Sequence, residues 1–299
     1  MERQRLPWDS IHHEKNCFNF FLLMQSFFSK ISNAPILIRL SVFILILLCL
    51  WLPIAAPIYY WGTDPNWVSI LTMLVLYVEF IILVKWWGKR IYEQPRILKS
   101  YGLEFTRQNL QGWLQGLIVG CFSLITLFSV EAALGFLTWD PAPPNFLILI
   151  LEGFLIALGV SFAEELLFRG WLWDELRRDY SPGIAFWSNT LIFALLHFIK
   201  PLSEIIRTWP QFPGLVILGM ILLWAKQSYQ GRLGLPIGIH GGLVWAYYGI
   251  NVGQLVQYSS SVPEWITGVD QNPLAGVMGL IWLSLLGFWL YQQISRKKI

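Results

Sequence analysis

The chain has 299 residues, of which 56% are hydrophobic and only 13% are charged. Soluble domains carry about 25% charged residues, so the composition excludes an ordinary soluble enzyme. The net charge of +3 is too small for the basic surface that grips nucleic acid, and no nucleic-acid partner is expected.

Residues 1–35 form a cytoplasmic or interfacial segment. Arg3 and Arg5 precede the apolar run Phe18–Phe28, but no small-residue cleavage site follows it. That run is too short to cross a bilayer and suits the membrane interface. Residues 36–137 then hold three transmembrane candidates, Ile36–Tyr60, Trp67–Trp87 and Trp113–Leu137, with a basic cytoplasmic loop at 88–112. Residues 146–250 hold Phe146–Trp173, Gly183–Ile199, the shorter Pro213–Lys226 and the glycine-rich Gly234–Ile250. Ala275–Tyr291, followed by a basic tail within 275–299, is the last. A span needs about 20 apolar residues, so the fold class is all-α: a polytopic transmembrane bundle of about eight helices.

Charge placement tests that count. With eight spans and a cytoplasmic N-terminus, Lys200 and Arg207 alone among the 21 Lys and Arg residues fall on the outer side, as the positive-inside rule requires. Both termini are then cytoplasmic. Trp51, Tyr59, Tyr60, Trp86, Trp87, Tyr247 and Tyr248 lie near span ends, where aromatic belts form. The expected location is the plasma or thylakoid-type membrane of a bacterium. Cys17, Cys49 and Cys121 form no paired motif, so neither a disulfide framework nor a thiolate zinc site is implied.

The run Phe146–Asp179, taken as one helix, contains SFAEELLFRG, Ser161–Gly170. Glu164, Glu165 and Arg169 fall near its midpoint. A central charge costs about 2.5–3.5 kcal/mol on an insertion scale, so the three demand compensation. Glu165 and Arg169 are i,i+4 with the acid N-terminal, the favourable order for a pair. Glu164 is turned about 100° from Glu165 and is left to face something else. His197 and His240 lie at comparable depth, about 20 Å and 12 Å from the cytoplasmic ends of their helices against about 20 Å for Glu164. Gly234, Gly238 and Gly242 form a small-residue stripe for a close helix neighbour, facing away from His240.

A glutamate and a histidine converging on one water make a general-base site for hydrolysis, and a second histidine is able to stabilise an oxyanion. The same groups form a His2Glu set able to hold a divalent cation such as Zn2+. HExxH and GxSxG are both absent from the chain.

These residues resemble the CAAX prenyl endopeptidase and bacteriocin-processing protease family, the intramembrane "Abi" family. Its EExxxR motif corresponds to Glu164-Glu165-Leu166-Leu167-Phe168-Arg169 and its FxxxH motif to Phe193–His197. Its HxxxN motif begins at His240, but Val244 stands where the family has Asn. The resemblance covers roughly Phe146–Ile250 and implies an eight-helix bundle with a cytoplasm-facing cavity. It implies an endopeptidase acting on a membrane-associated protein or peptide, such as a CAAX-like prenylated one. In that scheme Glu164 and His197 activate water, Glu165 and Arg169 shape the site, and His240 helps to stabilise the oxyanion. Asn189 is a substitute donor for Val244, whereas Asn251 lies too far along its helix. Family members are often labelled metalloproteases; the residues here are read as a glutamate-type site with no cofactor, a metal ion being the other option. The competing functions are a non-catalytic scaffold or immunity-type factor and a proton-coupled transporter.

Overall fold

The computed structural model describes Ser26 and residues 28–296. The N-terminal basic residues Arg3, Arg5 and Lys15, Lys297 and Lys298 of the tail, and most of Phe18–Phe28 lie outside them. The chain divides into two compact units at Ile97/Leu98.

The first unit is a pair of long apolar helices, α1 (Ile36–Trp61) and α2 (Pro65–Arg90). The turn between them follows from Asp64, whose side chain accepts from the backbone N–H groups of Asn66 and Trp67, with Pro65 at the first helical position. Phe43 locks the pair by meeting Phe80 and Trp87 edge-on, with ring centroids 5.9 and 5.4 Å apart.

The second unit begins with α3 (Arg107–Ala133), capped by Thr106. A short strand β1 (Leu137–Trp139) precedes α4 (Phe146–Glu164). This helix does not continue as a regular α-helix to Asp179, as the sequence suggested. It becomes π-helical over the eight residues Glu165–Leu172 and returns to α geometry as α5 (Trp173–Asp179). π-Helical hydrogen bonds run i to i+5 and widen the turn, and such segments gather at functional sites. Here the widened turn starts at the second glutamate. After it come α6 (Pro182–Leu196), α7 (Leu202–Thr208), α8 (Phe212–Ser228) and α9 (Gly234–Asn251). Strand β2 (Val256–Tyr258) pairs antiparallel with β1, Leu137 opposite Tyr258. The helix α10 (Val277–Arg296) ends the described chain.

Six helical stretches among the described residues are long and apolar enough to cross a membrane. The expected spans that fall short are α6, with 15 residues, and the glycine-rich α9. They carry His197 at the end of one and His240 within the other. For α9 this has a physical reason: most of its first half is buried, where neighbouring helices rather than lipid satisfy it, whereas α6 leaves Ile184, Trp187 and Leu195 exposed. Six such helices make the chain an integral membrane protein with an all-α polytopic bundle, to which the two three-residue strands add a small ribbon.

The small-residue stripe of α9 finds its complement in α3. Gly116 and Gly120 face Gly238 and Gly242 in parallel, so that the two backbones touch, while Gly234 lies against the Asn109 backbone and Gly112 against the Tyr229 ring. A Cβ on Gly116 would come within 2.6 Å of the Ile239 nitrogen, and one on Gly238 within 2.8 Å of the Leu117 nitrogen. Close approach of this kind is what small residues at four-residue spacing allow. On its other side α9 meets α4 in antiparallel fashion, with the Trp245 indole N–H donating to the Ile150 carbonyl at 2.9 Å. Leu124, Leu127, Phe128, Leu137 and Ile250 fill the space beyond the glycines. Gly116→Val forces the helices apart and is expected to destabilise the folded protein by about 1–3 kcal/mol, read as a lower melting temperature in detergent. An unchanged melt contradicts this packing.

Candidate active site

The π-helical segment, the end of α6 and the first half of α9 bring all five expected residues together. Glu165 and Arg169 are fully buried and paired, Arg169 Nη1 lying 3.1 Å from Glu165 Oε1. The pairing anticipated from the sequence is therefore present. Arg169 also donates to the Gly219 carbonyl at 3.3 Å and lies 4.1 Å from the centroid of the Phe193 ring. A guanidinium over an aromatic face is stabilised by the ring quadrupole. Phe193 in turn packs edge-on against Phe168, centroids 5.0 Å apart. Lys226, buried on α8, donates to the backbone carbonyls of Arg169 at 2.5 Å and Tyr101 at 3.0 Å. This pins the wide turn at the arginine.

His240 is where the arrangement differs from the sequence reading. Its Nδ1 lies 2.9 Å from Glu165 Oε1, so Glu165 holds a histidine as well as the arginine. A carboxylate only accepts, so this bond fixes the proton of neutral His240 on Nδ1 and leaves Nε2 with a lone pair. His197 is fixed the same way by a backbone group: its Nδ1 lies 2.7 Å from the Phe193 carbonyl oxygen. That contact gives the FxxxH spacing a physical meaning, since Phe193 anchors both the histidine and the arginine.

Both free nitrogens point at Glu164. Its Oε2 lies 3.9 Å from His197 Nε2 and 4.0 Å from His240 Nε2, and it has no hydrogen-bond partner. Those separations exceed a direct hydrogen bond of about 2.7–3.2 Å. They match two hydrogen bonds to one shared oxygen atom. The side chains of Glu164 and His197 are 29% and 32% exposed, whereas Glu165 and Arg169 are sealed. The two adjacent glutamates thus occupy opposite environments: one braces the site and the other faces its cavity.

As a metal site the donors suit zinc in kind, since each histidine has its second nitrogen anchored. The spacing does not suit it. Tetrahedral zinc with bonds of 2.0–2.1 Å holds its donors about 3.3 Å apart, and among the described residues no three His, Cys, Asp or Glu side chains are placed to hold a metal ion.

The cavity in front of Glu164 has a volume of about 320 Å³, and His197, His240, Val244, Leu215, Leu218 and Trp282 help to line it. Val244 takes its place four residues beyond His240. Asn189 does not replace the missing amide: it is buried, donates to the Phe168 carbonyl at 2.7 Å and does not line the cavity. Asn251 does not line it either. Ser123 of α3 does. Gly120 sits opposite Gly242, so three residues further along Ser123 stands level with Trp245, one residue beyond Val244. Its Oγ accepts from the Trp282 indole N–H at 2.9 Å, which leaves its own proton to be donated. Sequence reasoning missed Ser123, although the signal was present: it continues the face marked by Gly112, Gly116 and Gly120.

A family model, the Rce1-like type II CAAX prenyl endopeptidase, matches residues 145–246, and this stretch contains both glutamates, Arg169 and both histidines. No curated protein and no solved structure matches the chain. The motifs seen in the sequence and the family-model match fall on the same helices, so residues 145–246 are similar to the Rce1-like type II CAAX prenyl endopeptidases.

Proposed function

We propose that the protein is an intramembrane endopeptidase that hydrolyses a peptide bond of a membrane-associated polypeptide with a water activated by Glu164. It crosses a bacterial membrane eight times, with both termini on the cytoplasmic side. The observation that carries this reading is the convergence of two anchored imidazole Nε2 atoms on the unpartnered Glu164 Oε2.

In the reaction, water held between Glu164 and His197 gives its proton to Glu164 as its oxygen attacks the scissile carbonyl carbon. The carbonyl becomes an oxyanion. His240 in its protonated form donates to this oxyanion through Nε2, its imidazolium stabilised by Glu165 through Nδ1, while Arg169 balances the Glu165 charge. The Ser123 hydroxyl is the second donor, on the side where Val244 offers none. The C–N bond then breaks as Glu164 returns its proton to the departing amine nitrogen, and a carboxylic acid and an amine leave, the acid's proton passing to the amine in solution. No step passes through a metal ion.

The test is cleavage of membrane-anchored reporter peptides by the purified protein in proteoliposomes, with bound metal quantified before and after chelation. Cleavage that survives complete removal of metal is expected; cleavage restored only by added zinc contradicts the metal-free scheme. Ser123→Ala is expected to lower kcat about 10²-fold, the cost of one oxyanion donor, with KM little changed. If Ser123→Ala acts on KM alone, the serine only shapes the pocket. Val244 favours a second reading, a non-catalytic scaffold or immunity-type factor of the same fold. Full biological activity in Glu164→Gln would select it.

A further inference from the structure

A second cavity, of about 530 Å³, lies among α3, α4 and α9, wholly within the second unit. Its body is apolar, lined by Leu103, Leu110, Trp113, Leu158, Phe162 and Ile237. Leu158 and Phe162 share one face of α4, whereas Val160 and Glu164 line the cavity described above. Residues two apart on a helix point in nearly opposite directions, so the two cavities take different sides of α4.

The charged and hydroxyl groups of this second cavity gather at one end. Glu104, Thr106 and Arg107 line its mouth at the start of α3, where that candidate membrane span begins. Trp113 is six residues further in, about 9 Å along the axis. The mouth is held in shape by buried Asn109. Its Nδ2 donates to the carbonyls of Gly102 and Glu104, both at 2.9 Å, and its Oδ1 accepts from the Gly234 N–H of α9 at 2.9 Å. Thr106 Oγ1 accepts from the Asn109 N–H at 3.3 Å, which leaves its own proton to be donated. Arg107 is exposed, and its guanidinium has no partner among the described residues. Glu104 is paired with Lys99 at 3.6 Å, so Lys99, Glu104 and Arg107 together leave one net positive charge at the mouth.

We infer that this cavity binds an anionic glycerophospholipid of the phosphatidylglycerol type, with an acyl chain along the apolar body and the phosphate at Arg107. A guanidinium takes a phosphate bidentately, and the Thr106 hydroxyl beside it donates as well. The glycerol hydroxyls of the headgroup donate to the Glu104 carboxylate, whereas a choline headgroup has no proton to offer. One negative charge on the lipid balances the mouth, as anionic headgroups do in basic pockets between membrane helices. A polypeptide fits the cavity less well. Deep in the body only the Trp113 indole N–H is offered to its amide groups, and unsatisfied amides are costly in apolar surroundings. Lipid binding here is independent of any peptide hydrolysis.

The experiment is native mass spectrometry of the purified full-length chain in detergent. It is incubated with equal amounts of palmitoyl-oleoyl phosphatidylglycerol, phosphatidylethanolamine and phosphatidylcholine. One phosphatidylglycerol is expected to stay bound, preferred about tenfold over phosphatidylcholine, the scale of a hydrogen bond to a charged group. Arg107→Gln is expected to abolish that preference, and Leu158→Trp, which fills the cavity, to remove the bound lipid. Both positions are exposed, so both variants are expected to melt as the wild type does. Arg178→Gln, at an exposed basic residue outside the cavity, should bind as the wild type does. Equal retention of the three lipids by the wild type, or a better hold on phosphatidylethanolamine, overturns the inference. So does an unchanged pattern in Arg107→Gln or Leu158→Trp, or an equal loss in Arg178→Gln, which would mark diffuse charge alone. Glycerophosphoglycerol, the headgroup without chains, should not compete. If it competes as well as the lipid, the mouth is a phosphate site and the inference fails. Displacement of the lipid by the reporter peptide of the cleavage assay would give the cavity to that peptide and also overturn it.

Discussion

Glu164→Gln is expected to lower kcat for a membrane-anchored reporter by about 10²–10⁴-fold, the usual worth of a positioned proton acceptor, while leaving folding unchanged. The substitution keeps the size and hydrogen-bonding capacity of the side chain and removes its basicity. Its side chain is partly exposed to the cavity and its Oε2 holds no hydrogen bond, so no structural contact is lost. Steady-state kinetics in proteoliposomes, beside a melting curve of each protein in detergent, reads both halves of the expectation. A variant that cleaves at the wild-type rate removes Glu164 from the chemistry. A variant that melts much lower would give the carboxylate a structural role instead.

Glu165→Ala is expected to behave in the opposite way. It strips the partner from Arg169, which is wholly buried, and from the Nδ1 of buried His240. Removing one member of a buried ion pair costs about 3–5 kcal/mol, because the remaining charge is left uncompensated. Folded protein should become scarce and its melting temperature should fall well below that of Glu164→Gln. The double replacement Glu165→Leu with Arg169→Met removes both charges together. Apolar pairs often match a buried salt bridge in stability, so the double variant should recover much of the melting temperature and none of the activity, since His240 has lost its anchor. If Glu165→Ala melts like the wild type, the pair is not what braces the wide turn.

Adjacent glutamates are thus expected to give two different phenotypes, and part of that distinction is legible in the sequence. The i,i+4 spacing of Glu165 and Arg169 brings them to one face, and their pairing is found at 3.1 Å. Depth counted along the helices puts Glu164, His197 and His240 in one layer, as observed. What the sequence does not carry is rotation. Helical depth says how far in His240 lies, but not that its Nδ1 meets Glu165 while its Nε2 turns to Glu164. That depends on α9 being pressed against α3 by facing glycines, a contact between residues more than 100 positions apart.

The π-helical turn is another omission with a physical cause. Glu165-Leu166-Leu167-Phe168-Arg169 would be unremarkable in an α-helix; its widening is stabilised from outside, by Lys226 on α8 and by the Gly219 carbonyl. The cavity's wall was also hidden, because part of it comes from Gln211, Asn272 and α10, which lie outside the helices that hold the motifs. Asn189 shows the reverse error. Helical angle alone made it a substitute for the missing amide at position 244, whereas the fold uses it to satisfy the Phe168 carbonyl.

The most direct test of water attack at Glu164 is one single-turnover reaction in H2 18O, with the fragments and the intact enzyme weighed by mass spectrometry. The account expects one 18O atom in the new C-terminal carboxylate and an enzyme of unchanged mass throughout turnover. An enzyme that carries a fragment as a covalent adduct, or a product without the label, would contradict it.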